Sequence, residues 1–249
     1  STAGGKPVFL PQIPRNAMVR SSPGRDYMVL AWDSDGDEQY RLYRWDLGDS
    51  EPVLLTSESE RATFGAFEPD GDRIAYVSTR RNGKDFDVYL MNALDASSDE
   101  RILEVEGMWG VVGWSRTTDE LLIVRVVSNV ANELHVLDLG SGSLRRITDN
   151  PEWPVSHGTP QWSRDGSALY YTSDRGTEFK HLRRLDLETG EEVILSDEIP
   201  WDVSSVQQTG DGELLLIGVN EDGRTRHYTS DPLGKEFHPL ELFSSGQFP

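Results

Sequence analysis

One phrase recurs at a fixed interval along this chain, and that recurrence restricts the fold more than any other feature. Ser22-Pro23-Gly24-Arg25-Asp26 precedes the apolar run 27–32, and Glu68-Pro69-Asp70-Gly71-Asp72 precedes 74–77. The segment 114–119 precedes 121–127, Trp162-Ser163-Arg164-Asp165-Gly166 precedes 168–171, and Thr209-Gly210-Asp211-Gly212 precedes 214–219. With the turn glycine as marker (Thr118 holds that place in the third copy), successive copies are 47, 47, 48 and 46 residues apart. Each period then holds a second strand-like segment (40–45, 86–91, 133–139, 181–187 and 224–228). A further turn follows, and in the clearer copies a short fourth segment such as 144–148 or 192–195. Asp-Gly and Ser-Gly between β-branched and aromatic runs are hairpin chemistry, because these residues accept the positive φ of tight turns.

Four antiparallel strands per 40–50 residues, with no sustained 3.6-residue period, predict an all-β chain. The predicted architecture is a β-propeller of four-stranded antiparallel blades. The blades are expected at 15–58, 59–106, 107–155, 156–201 and 202–243 of one propeller domain spanning 1–249. Residues 244–249 stand where a further blade would start. Either five blades close with a strand supplied by 6–10, or the chain is part of a propeller of six to eight blades; the unfinished phrase at 244–249 favours the second.

Charge and composition narrow the function. The 24 basic and 43 acidic side chains leave a net charge of −19, contrary to the clustered Lys and Arg of a nucleic-acid binder, so no nucleic-acid partner is expected. With no cysteine, disulfides, thiolate metal sites and a Cys nucleophile are excluded. No apolar run of about 18 residues exists to span a membrane as a helix, and no membrane partner is expected. The chain has no phosphate-binding Gly-x-x-x-x-Gly-Lys, no Gly-x-Gly-x-x-Gly following a strand and no Gly-x-Ser-x-Gly nucleophile elbow. No cofactor and no catalytic residue is therefore expected within it.

Three features are candidate sites. The acidic stretch 33–38 suits a hard cation by charge, but it fails the calcium-loop template at Glu38 and Arg44, and a polar hairpin explains it; no metal is expected. His135, His181 and His227 recur on the third strands, where the propeller itself accounts for them. Trp109, Trp153, Trp201 and Phe248 lie on the approaches to first strands, with Arg80 and Arg175 on other connections. Such a set either forms an aromatic collar that holds a peptide, with Arg taking its carboxylate, or wedges each Trp between adjacent blades. Trp114 and Trp162 share the register of Phe67 and are expected in the core.

The phrases 67–78 with Asp87-Val88-Tyr89-Leu90, and Pro160-Gln161-Trp162-Ser163-Arg164-Asp165-Gly166 with Tyr170-Tyr171-Thr172-Ser173-Asp174-Arg175-Gly176, resemble the TolB-type, WD40-like repeat. That repeat builds TolB and the N-terminal propellers of prolyl oligopeptidase family serine peptidases, such as the acylaminoacyl and dipeptidyl peptidases. Segment 217–225 most resembles the peptidase branch. The resemblance implies a non-catalytic propeller that gates peptide access to an α/β-hydrolase domain lying C-terminal to this chain. The alternatives are a free-standing TolB-like module that binds a protein partner, and a propeller enzyme such as a glycosidase with carboxylates converging on its channel.

Overall fold

In the computed structural model, residues 17–33, 36–148 and 154–240 are described, and every regular element among them is a β-strand. The strands form five four-stranded antiparallel sheets, each in sequence order. The first holds β1 (Met18–Ser21), β2 (Tyr27–Trp32), β3 (Arg41–Asp46) and β4 (Val53–Leu54); the second holds β5 (Ala62–Phe67), β6 (Arg73–Ser78), β7 (Asp87–Asn92) and β8 (Asp95–Leu103). The third is β9 (Met108–Trp114), β10 (Glu120–Ser128), β11 (Ala131–Asp138) and β12 (Leu144–Arg146). β13 (His157–Trp162), β14 (Ala168–Ser173), β15 (His181–Asp186) and β16 (Glu192–Ile194) make the fourth. The fifth is β17 (Asp202–Gln208), β18 (Leu215–Glu221), β19 (Arg224–Ser230) and β20 (His238–Pro239).

The recurring phrase is the turn between the first and second strands of every sheet. In all five copies one backbone N–H donates to the carbonyl five residues on: Ser22 to Tyr27, Glu68 to Arg73, Ser115 to Glu120, Ser163 to Ala168 and Thr209 to Leu214. The glycines at 24, 71, 166 and 212 take positive φ there. Thr118 does not; its hydroxyl donates to Ser115 Oγ at 2.9 Å, so a side-chain bond helps to hold the third turn.

Contacts divide the chain into two compact units, residues 1–114 with 139–143, and residues 115–138 with 144–249. In the first, β2 and β3 bury Tyr27, Val29, Ala31 and Leu42 against Ile74, Tyr76, Tyr89 and Met91 of β6 and β7. In the second, Leu122, Leu134 and Val136 pack on Trp162, Leu169 and Tyr171, and another cluster joins Tyr170 and Leu182 to Val203, Ile217 and Val219. Strands covered on both faces read as unbroken apolar runs, and β14 is buried throughout. Trp162 lies in that core, and Trp114 is buried beneath the Arg73 guanidinium, 5.0 Å from its ring.

The outer strands are two or three residues long in four sheets, whereas β8 runs nine residues and is largely exposed. Residues 6–10, Trp153 and 244–249 with Phe248 lie outside the described residues.

Candidate functional site

In each unit the connection between second and third strands meets the approach to the next sheet. Around Arg80, the Arg81 guanidinium donates to Asp87 at 2.6 Å and to the Val105 carbonyl at 2.7 Å, while Asp85 accepts the Gly107 N–H at 2.7 Å. That hydrogen bond, with one from Asn82, holds the Asp85 carboxyl below its usual range. In the second unit, Asp202 accepts the Lys180 N–H at 2.8 Å, and Val203 N–H donates to the Lys180 carbonyl. The expected peptide-contact residues therefore sit on one kind of edge: Arg80 and Trp109 in the first unit, Arg175 and Trp201 in the second.

Their environments differ. Trp109 is buried, and its Nε1–H donates to the Glu106 carbonyl at 2.9 Å. Trp201 is 37% exposed, with its ring 6.4 Å from Phe179, so it offers an accessible aromatic face. Trp153 falls outside the described residues.

Arg80 and Arg175 occupy matching places in a repeated clasp. Tyr76 donates to Asp99 on β8 at 2.8 Å, and Arg80 pairs with the same carboxylate while lying 3.9 Å above the Tyr89 ring. In the fourth sheet Tyr171 donates to Glu192 on β16, which also accepts Arg175 at 2.5 Å and Arg183 at 2.6 Å. Burial raises both phenol pKa values, and the adjoining carboxylate raises them further. Burial pushes Glu192 upward, but hydrogen bonds from Tyr171 and Arg183 and the charge of Arg175 hold it lower than usual. Each clasp ties the outermost strand to the second strand and its exit loop. Both arginines are thus engaged by carboxylates of the fold itself.

The Tyr-x-x-x-Arg spacing at 76–80 and 171–175 was visible in the sequence, but the carboxylates, 23 and 21 residues beyond the tyrosines, have no common spacing. His157 is a further buried residue here, with its ring edge-on to Tyr171 at 5.4 Å and burial pushing its pKa down to about 4.

Of the acidic stretch, Asp37 accepts Arg41 at 2.8 Å, and Asp33 accepts the Glu38 N–H at 3.3 Å. Among the described residues no three His, Asp or Glu side chains are grouped to hold a metal ion.

Sequential four-stranded antiparallel sheets, each opened by the same turn, define a β-propeller. The chain belongs to the TolB beta propeller domain family, whose model matches residues 24–231. Among solved structures it is similar to TolB from Acinetobacter baumannii, with 21% identity and a TM-score of 0.66 over 88% of this chain and 54% of that one. It is similar to a Mycobacterium tuberculosis puromycin-hydrolyzing peptidase, with 19% identity and a TM-score of 0.69 over 94% of this chain and 41% of the other. Prolyl oligopeptidase B from Galerina marginata matches with 14% identity and a TM-score of 0.69, over 90% of this chain and 34% of its own. The chain therefore spans about half of the TolB chain and a third to two fifths of the peptidases. At these identities the likeness is one of fold.

Proposed function

We infer that this chain is the non-catalytic propeller of a prolyl oligopeptidase-type serine peptidase, limiting which peptides reach a hydrolase domain elsewhere in the protein. The observation that carries this reading is the match with the two peptidase chains, nearly complete on this side and partial on theirs. The clasps support it by tying the outer strands of the second and fourth sheets to their inner strands, since a size filter must resist deformation by its substrate. In this role this chain contributes no residue to the cleavage itself. Trp201 is its best-placed peptide contact, exposed beside Phe179.

A second reading, a TolB-like module that docks a protein partner, is favoured by the similarity to the Acinetobacter protein. Propellers host many functions, so the site and not the fold must decide. Incubating the native gene product with a graded series of peptides, and with a folded protein carrying the same cleavable sequence, separates the two. The peptidase reading predicts cleavage of the short peptides and sparing of the folded protein. Equal cleavage of both contradicts gating, and cleavage of neither favours the docking module.

A further inference from the structure

His157 is a buried histidine that the proposed function does not use. It lies on β13 with 4% of its surface exposed, and its Nδ1 is shut off from solvent with no hydrogen-bond partner among the described residues. Its main chain is fixed: the N–H donates to Asn132 Oδ1 and the carbonyl accepts Asn132 Nδ2–H, both at 2.8 Å. A change of charge on this ring must therefore be met by the groups around it and not by the strand that carries it.

Those groups are the clasp of the fourth sheet. The imidazole stands edge-on to the Tyr171 ring of β14 at 5.4 Å, and the Tyr171 hydroxyl donates to Glu192 of β16. Glu192 pairs with two cations, Arg183 of β15 and Arg175 of the connection 174–180, and Arg183 also donates to the Arg175 carbonyl. Asp174, at the start of that connection, accepts the Ser156 N–H at 3.0 Å, and Lys180 Nζ, at its end, donates to Ser156 Oγ at 3.1 Å. On β11, Asn132 is neutral, and Glu133 is engaged by Arg125, His135 and Arg146.

A proton on His157 upsets this balance. An imidazolium carries hydrogen on both ring nitrogens, so the buried Nδ1 becomes a donor with nothing to accept its bond. It is also a third cation near Glu192. Arg183 is 3% exposed and cannot turn to solvent, whereas the Arg175 side chain is 27% exposed. Arg175 is thus the partner that gives way.

The connection that Arg175 anchors also carries Phe179, whose ring lies beside Trp201. Two of its other ties are internal, from the Thr177 N–H to the Asp174 carbonyl at 3.2 Å and from the Thr177 hydroxyl to the Phe179 carbonyl at 2.8 Å. At its far end the Lys180 N–H donates to Asp202 at 2.8 Å.

We propose that protonation of His157 opens the fourth-sheet clasp and releases the connection 174–180, so that the Phe179 face beside Trp201 is rearranged in acid while the sheet itself stays folded. As regulation of a peptide contact this rests on the peptidase reading; the movement does not. Its direction follows from burial, which pushes the His157 pKa from 6.5 down to about 4. The closed clasp keeps its full stability above the unfolded value and loses it as pH falls toward the folded one.

Hydrogen exchange of the full chain at about pH 6 and about pH 4, corrected for the intrinsic pH dependence of exchange, tests the proposal. The amides of Thr177 and Lys180 should lose protection at least about tenfold at the lower pH, the scale of one linked proton per pH unit, while those of β14 keep theirs. His157→Gln removes the titrating group without adding volume and should leave the protection of the connection the same at both pH values. His157→Phe, which keeps an aromatic ring in the site, is the second variant. Unchanged protection in the unsubstituted chain, a loss that extends through β14, or the same pH dependence in the variants would each overturn the proposal. No peptide or hydrolase enters these readouts, so failure of the switch and failure of the peptidase reading are told apart.

Discussion

At the residue scale, buried charge is tolerated only where it is paired, and the Glu192 clasp shows what pairing achieves. Arg183 is almost wholly buried and relies on Glu192. Glu192→Ala should therefore cost about 3–5 kcal/mol in urea denaturation, because a guanidinium would be left uncompensated in the interior. Arg25→Ala removes an ion pair whose partners are both 44% exposed, and it should cost less than about 1 kcal/mol. Similar losses from the two variants would refute this account of the clasp. His157 adds a pH dependence. Its folded pKa is pushed down to about 4 by burial, so between the unfolded value near 6.5 and that value the unfolded chain binds a proton that the folded chain refuses. Stability should fall by about 3 kcal/mol as pH drops through this window, and His157→Phe should remove most of that slope in denaturation series at stepped pH. The sequence exposed the matched Tyr and Arg positions of the clasps but not their acids, because Asp99 and Glu192 lie on outer strands of different length and register. It therefore presented Arg80 and Arg175 as open anion contacts when carboxylates of the fold already occupy them.

At the scale of elements, the turn that made the repeat legible also locks neighbouring sheets. Gly71 sits with positive φ beneath the first turn: its carbonyl accepts Tyr27 Oη at 2.5 Å and Ser22 Oγ at 3.2 Å, and a Cβ there would overlap the Pro23 carbonyl. Gly71→Ala should thus cost both the left-handed backbone strain and a displacement of the first turn, more than about 3 kcal/mol together. Gly190→Ala carries the strain alone, because nothing lies within 4 Å of its Cβ position, and about 1 kcal/mol is expected. Thermal or urea denaturation of the two variants reads the difference, and equal losses would mean that the turns do not interlock. First, second and third strands were readable because each flanks a turn with strong chemistry. β8 was not, since Asp95-Ala96-Ser97-Ser98-Asp99-Glu100 has neither apolar alternation nor β-branched residues; the clasp on Asp99 helps to hold it to the sheet.

At the scale of the molecule, the period of the turn phrase sufficed for the fold, because four-stranded units of this length bury their faces only by stacking. Function was less legible. The aromatic approaches proved to be of different kinds, with Trp109 buried and Trp201 exposed. The central claim is that this propeller works for a serine hydrolase. The most direct test is the intact mass of the native gene product, captured with an antibody against this chain, before and after a fluorophosphonate that labels active serines. The account predicts a product several hundred residues longer than this chain that gains a single adduct. A product of about this chain's length, with no adduct, would contradict it.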